Sequence, residues 1–189
     1  MRRKSWATAD EQKLRGSIGT SEDYQVESYH SLYFPVSSGY SGSGATSLNQ
    51  IPALLLDPAA DEWVEWGFQI PKQWQSGVIK ATAYVRPMDA TSGTAYLSFE
   101  INLLDTSHTV TALMNKQVSV SMPGTQYEIV EVSQTSSAIV MPQAADDREN
   151  VAGLHFERQG SSGGASDTYA ADLAVHGVLI EWQPETYRA

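Results

Sequence analysis

Four histidines, two knots of carboxylates and five tryptophans carry the chemistry in this sequence that goes beyond packing. His30, His108, His155 and His176 show no H-x-x-x-H spacing, so no metal-binding pair is spelled out. His155 falls on the face opposite Leu154 and Phe156, and His176 keeps step with Val178 and Ile180; both read as hydrogen-bonded strand histidines. Serines are many, but no G-x-S-x-G occurs, and Ser161-Ser162 has no acid or histidine beside it. Gly42-Ser43-Gly44 leads into no G-K-[ST], so no phosphate cradle or dinucleotide fingerprint is expected.

Asp57, Asp61 and Glu62 form one acidic group, and Asp146, Asp147 and Glu149 the other. A glycosidase needs two carboxylates roughly 5–10 Å apart across a cleft, which sequence spacing alone does not supply. No D-x-[DN]-x-[DN]-G loop marks a calcium site. Solvated loop acids are the expectation, with no catalytic residue, no metal ligand and no cofactor. The aromatic side chains remain. Flat rings stack on sugars or fill partner pockets. Trp66 shares the parity of Phe68 and reads as core. Trp63, Trp74, Tyr84 and Tyr96 are the glycan-stacking candidates, against plain packing as the alternative.

These residues sit on strands. Val64, Trp66, Phe68 and Ile70 alternate with Trp63, Glu65, Gly67 and Gln69, a period of two. Pro71 ends that run. Ile79, Ala81, Ala83 and Val85 alternate with Lys80, Thr82, Tyr84 and Arg86. Ala95, Leu97, Phe99, Ile101 and Leu103 alternate with Tyr96, Ser98, Glu100 and Asn102. Val118–Met122 is a short strand stopped by Pro123-Gly124. Tyr127–Val132 and Ala138–Met141 read as a hairpin across Ser133–Ser137. Val151–Arg158 and Ala171–Trp182 close the series, with Ala174, His176, Val178, Ile180 and Trp182 assigned to one face. Eight or so short strands predict an all-β fold: an antiparallel β-sandwich, jelly-roll-like, with an extended N-terminal arm.

The arm differs from the body. Residues 1–15 hold five basic and two acidic residues, net +3; residues 16–189 hold seven and twenty, net −13. Thr8–Glu11 has capping-box spacing and Gly16 a stop, predicting a short helix over 8–15. Arg2, Arg3, Lys4, Trp6, Leu14 and Arg15 are its candidate partner contacts. Glu27–Val36 reads as a strand and Ser37–Gly44 as a linker. Residues 1–50 are thus set apart as an attachment arm and 51–189 as the sandwich. A net charge of −10 argues against nucleic acid, and the longest apolar run, Ile51–Leu56, is far below the roughly 20 residues of a membrane-spanning helix. No apolar stretch follows Arg2-Arg3-Lys4, so no secretory signal is expected. With no cysteine, disulfides and thiolate chemistry are excluded.

Leu56–Trp63, Phe68–Trp74, Gly77–Tyr84, Ser92–Phe99, Leu154–Arg158 and Asp167–Trp182 together resemble a family of tailed-bacteriophage virion proteins: structural, tail-fibre and head-fibre proteins. The resemblance spans about 130 residues, in keeping with one domain, and implies a small non-enzymatic jelly roll that trimerises and binds capsid, neck or tail proteins through its amino end, located in the virion. Within it, Arg158 with Asp167-Thr168-Tyr169 is expected to bridge strand ends and pin the last hairpin. A glycan-binding receptor module at a fibre tip is the competing expectation.

Overall fold

A computed structural model describes residues 30–41, 45–48, 51–70, 76–104, 110–137, 139–140, 151–160, 162 and 166–182. The expected helix over 8–15 and the six arm contacts lie outside them. Strands in chain order are β1 (His30–Pro35), β2 (Tyr40–Ser41), β3 (Ala45–Leu48), β4 (Ile51–Leu56), β5 (Asp61–Gln69), β6 (Ser76–Gly77), β7 (Ile79–Pro87), β8 (Gly93–Leu104), β9 (Val110–Met122), β10 (Val130–Thr135), β11 (Ile139–Val140), β12 (Val151–Gln159) and β13 (Leu173–Trp182). All pairings are antiparallel. One sheet runs β10-β7-β13-β4-β3, with β1 also on β13; the other runs β2-β5-β12-β8-β9. The fold is an antiparallel, jelly-roll-like β-sandwich, as the alternation predicts.

The largest apolar side chains concentrate on one face of each sheet, so the two faces must close on each other to leave water. Leu54, Leu56, Ala81, Ala83, Val85, Val175, Val178 and Ile180 from one sheet meet Val64, Trp66, Leu97, Phe99, Ile101, Leu154 and Phe156 from the other. Phe99 and Phe156 meet edge-on, 4.9 Å between centroids.

Five readings of the sequence are corrected by the structure. The division near Gln50 runs through the sandwich. β1 pairs with β13 from His30↔Trp182 to Pro35↔Gly177, and β3 pairs with β4 across that point. Val36–Ser38 form a 3-10 turn that spans the end of the expected strand and the start of the expected linker, and Tyr40–Ser41 within that linker pair with β5. The chain there crosses from one sheet to the other, a connection that serine and glycine suit as well as they suit a free linker.

The hairpin expected between residues 127 and 141 does not form. β10 pairs with β7, and β11 pairs with β6. Tyr127 has φ of 67°, a left-handed backbone that no strand continues, so β10 starts only at Val130. Arg86 Nε donates to Tyr127 O at 3.0 Å and its guanidinium covers the Tyr127 ring.

β9 spans thirteen residues rather than five. Its first half does not alternate: a register shift leaves Leu113 and Met114 both buried, and Asn115-Lys116-Gln117 then interrupt the apolar pattern before Val118.

His176 does not share the core face with Val178. A bulge between Val175 and Gly177 changes the register, so Leu173 and Val175 face inward before it, and Val178, Ile180 and Trp182 after it. Ala174 and His176 point away from the core cluster.

One end of the sandwich is closed by Arg158, the largest fully buried side chain. It takes an inward position on β12 and meets Asp167 through two bonds of 2.9 Å. Its remaining N–H groups donate to the carbonyls of Leu56 at 3.0 Å, Ala171 at 2.7 Å and Tyr169. The expected bridge is therefore present, and it joins both sheets. Residues 167–169 in turn dock on the start of β8: Thr168 and Tyr169 N–H both reach Thr94 O, and Tyr96 N–H reaches Asp167. A β-carbon on Gly93 would stand 2.7 Å from Tyr169 Cα, against backbone that cannot swing away. Gly93→Ala is expected to cost about 1–3 kcal/mol by overpacking, read as a lower urea midpoint at unchanged slope.

Candidate functional site

The outer face of the five-stranded sheet carries the side chains best suited to ligand contact. Register arranges them in rows across the strands. Trp63, Glu157, Ser98 and Gln117 form one row; Glu65, His155, Glu100 and Asn115 the next. Gly67, Gly153, Asn102 and Ala112 form a third, and Gln69, Val151, Leu104 and Val110 a fourth. Rows on one face lie about 6.6 Å apart along the strands.

Cross-strand diagonals bring the aromatics together. Trp63 and His155 stack, with 5.7 Å between centroids and 28° between planes. Tyr40, opposite Glu65 on β2, leans on Trp63 at 5.7 Å and is 74% exposed. Trp63 is itself half-buried, and its ring contacts both the exposed Tyr40 and His155.

A polar chain runs from these rings across the sheet. His155 Nδ1 lies 2.9 Å from Glu65 Oε1, and His155 Nε2 lies 3.7 Å from Glu157 Oε2. Gln159 Nε2 donates to Glu157 at 3.2 Å, Gln117 Nε2 donates to Gln159 at 3.0 Å, and Tyr96 Oη donates to Gln117 at 2.9 Å. Asn115 donates to Glu100 at 3.4 Å. Ser98, in the row between Glu157 and Gln117, is fully buried, and its hydroxyl has no hydrogen-bond partner. Next to the polar rows the sheet is bare: no atom lies within 4 Å of where a β-carbon of Gly67 or Gly153 would stand. The result is an aromatic platform, a line of acceptors and amides, and an open floor. Such a set can stack a ring and orient hydroxyls or amines.

The sequence-derived candidates divide. Trp63 and Tyr96 lie on this face and are joined by the polar chain. Tyr84 lies on the outer face of the opposite sheet, where its ring meets Tyr33 edge-on at 6.1 Å. Trp74 lies outside the described residues, as do His108 and Asp146–Glu149. The sequence does not mark Glu65, Glu100, Asn115, Gln117, His155, Glu157 and Gln159 as ligand residues. Their parity was legible, but nothing in the sequence said that β12 lies between β5 and β8. The acidic group at 57–62 is absorbed by turns: Glu62 accepts from Asp57 N–H, Asp57 from Ala59 N–H, and Asp61 from Ser162 N–H. Among the described residues, no three His, Asp or Glu side chains converge as a metal site.

At Tyr33, burial and then the neighbouring Tyr84 push the phenol above its ordinary pKa. The folded chain therefore prefers the neutral phenol. This contribution is intact below the unfolded tyrosine value of about 10 and is lost as pH rises beyond it. Tyr33→Phe is expected to flatten the alkaline decline of the thermal midpoint.

No family model matches this sequence, and no curated relative does. Among solved structures, the C-terminal CBM6 of a marine laminarinase from Zobellia galactanivorans superposes with a TM-score of 0.45 at 16% identity, covering 80% of this chain and 98% of that one. The CBM36-1 domain of a xylanase from the hindgut metagenome of Trinervitermes trinervoides gives 0.46 at 10% identity, covering 80% and 96%. A family 35 carbohydrate-binding module from Clostridium thermocellum gives 0.45 at 6% identity, covering 80% and 97%. Likenesses this remote carry nothing about what the present chain binds; that rests on the face itself.

Proposed function

We propose that this chain is a non-catalytic glycan-binding module that uses the outer face of the five-stranded sheet. The observation that carries this reading is the Trp63 platform, braced by Tyr40 and His155 and continuous with carboxylates and amides. A sugar ring offers an apolar C–H face to tryptophan and hydroxyl donors to Glu65, Glu157 and Glu100. The polar groups hold one another in place before any ligand arrives, which lowers the cost of ordering them on binding. Among the described residues, binding accounts for the groups on this face.

A glycan array followed by affinity electrophoresis tests it. Retention by at least one polysaccharide is expected. Trp63→Ala should weaken it by roughly 2 kcal/mol, about thirtyfold in Kd, measured at a temperature where the variant remains folded. No retention on any glycan, or retention indifferent to Trp63, would overturn the reading.

A second reading concerns where the module works. The resemblance to virion proteins, and the +3 amino end on a −13 body, favour a bacteriophage particle, with the module borne there as a trimer through its arm. Gold-labelled antibody to the sandwich should then decorate intact virions at one position; unlabelled particles would remove this reading.

A further inference from the structure

The rows around Trp63 differ from a generic sugar-stacking surface in charge. Glu65, Glu157 and Glu100 stand on this face, and its four rows contain no lysine or arginine. Glu65 is half exposed, while the Glu157 side chain is 17% exposed and lies between His155 and Gln159. A carboxylate so placed repels an approaching uronate or sulfate and attracts an ammonium group, and partial burial strengthens both effects. Each carboxylate accepts more than one donor, so the His155 and Gln159 contacts leave room for a ligand N–H.

Ser98 supplies an independent sign of a ligand. Its hydroxyl lies in the row between Glu157 and Gln117 and has no partner. Burying a hydroxyl without a hydrogen bond costs about 1–3 kcal/mol. The Gln117–Gln159 amide contact joins the strands on either side of it. A ligand group that parts those two amides gains Ser98 as a donor and acceptor. Beyond His155, the bare Gly67–Gly153 floor lets a second sugar unit lie against the sheet backbone.

Resting on the glycan-binding reading above, we infer that the ligand is a polysaccharide bearing free amino groups, a glucosamine-type polymer. Its ammonium would be held by Glu157 and Glu65 beside the Trp63 ring, and its acidic counterparts would be excluded. An ammonium there is also drawn to the tryptophan face.

Isothermal titration near neutral pH with three oligosaccharides of equal length tests this: a glucosamine oligomer, its N-acetylated form and an oligogalacturonate. The glucosamine oligomer is expected to bind at least about tenfold tighter than the acetylated one, a gap equivalent to about 1.4 kcal/mol. The galacturonate should not bind. Glu65→Gln with Glu157→Gln should reduce that preference to below about threefold, whatever loss of hydroxyl contacts the amino and acetylated forms share. Glu128→Gln with Glu131→Gln removes the same charge from exposed positions away from this face and should change nothing, separating a built site from mere attraction to an acidic protein. Ser98→Ala should weaken the glucosamine oligomer several-fold. Equal binding of the amino and acetylated forms, or an equal effect of the two double variants, overturns the inference and leaves glycan binding standing. Binding of none of the three, together with an empty array, removes both.

Discussion

Arg158→Met is expected to lower the unfolding free energy by about 3–5 kcal/mol, because it strands one half of a buried ion pair. Arg158 and Asp167 are fully and almost fully buried, at 0% and 1% side-chain exposure. Methionine occupies similar space but donates nothing. Asp167 would keep the Tyr96 N–H and lose both guanidinium bonds, and the carbonyls of Leu56, Ala171 and Tyr169 would each lose a donor. Those carbonyls belong to the ends of β4 and to the segment that leads into β13, so both sheets would loosen at one end. With whole-domain stabilities of roughly 5–15 kcal/mol, a loss of this size is a large share of the total. Urea unfolding followed by tryptophan fluorescence checks it. Adding Asp167→Asn should recover part of the loss, since the stranded charge is then gone; the two substitutions are coupled and should not add. A cost below about 1 kcal/mol for Arg158→Met would mean that the pair does not hold the sheets together.

Trp66→Ala is expected to cost about 3–5 kcal/mol, at the upper end for a core truncation. The ring is 4% exposed and reaches Phe34 at 6.2 Å, which in turn meets Phe68 at 5.1 Å. Its Nε1 donates to Pro35 O at 3.0 Å. Trp66 therefore fastens β1 and the crossing that follows it to β5 in the opposite sheet. Gly39 passes so close that a β-carbon there would stand 2.5 Å from Val64 Cγ2 and 2.8 Å from Trp66 Nε1. Removing the indole opens a cavity and frees the strap above it. Trp66→Phe keeps most of the volume and should cost less than half as much. Limited proteolysis should cut the alanine variant first between Pro35 and Tyr40. Deleting residues 1–50 should prevent cooperative folding, because β13 would lose its β1 partner and the core would lose Leu32 and Phe34. A stable, cooperatively unfolding product of that deletion would show that the sandwich begins at β4 after all.

The period of two in residues 63–70, 79–86 and 95–103 determined the β class, the sandwich and the inward faces of three central strands, because one side of each strand must leave water and alternation records which. It also placed Trp63 and Tyr96 outward, as the alternation of Leu154 and Phe156 did for His155. The inward choice of Trp66 followed from the same parity. What parity does not contain is which strands are neighbours. That Trp63 touches His155, across more than ninety positions of chain, depends on β12 lying against β5. The same pairing creates the Glu65–His155–Glu157 group and the paired glycines beside it.

Local signals misled where two structures share one composition. Ser37–Gly44 suits a linker and equally a tight crossing between sheets, and the neighbouring strand and core decide between them. The β13 bulge at His176 leaves no trace in composition either, since an extra residue shifts the face without changing the residue types. Arg158 shows the limit most plainly. Its sequence neighbours mark it as a strand-end cation, but a guanidinium leaves water only when a carboxylate and several carbonyls converge on it. The chain supplies those from positions 56, 167, 169 and 171, which only folding brings to one point. Alternation along a strand is a short-range property and can be read residue by residue; convergence is a long-range one and exists only once the two sheets have closed.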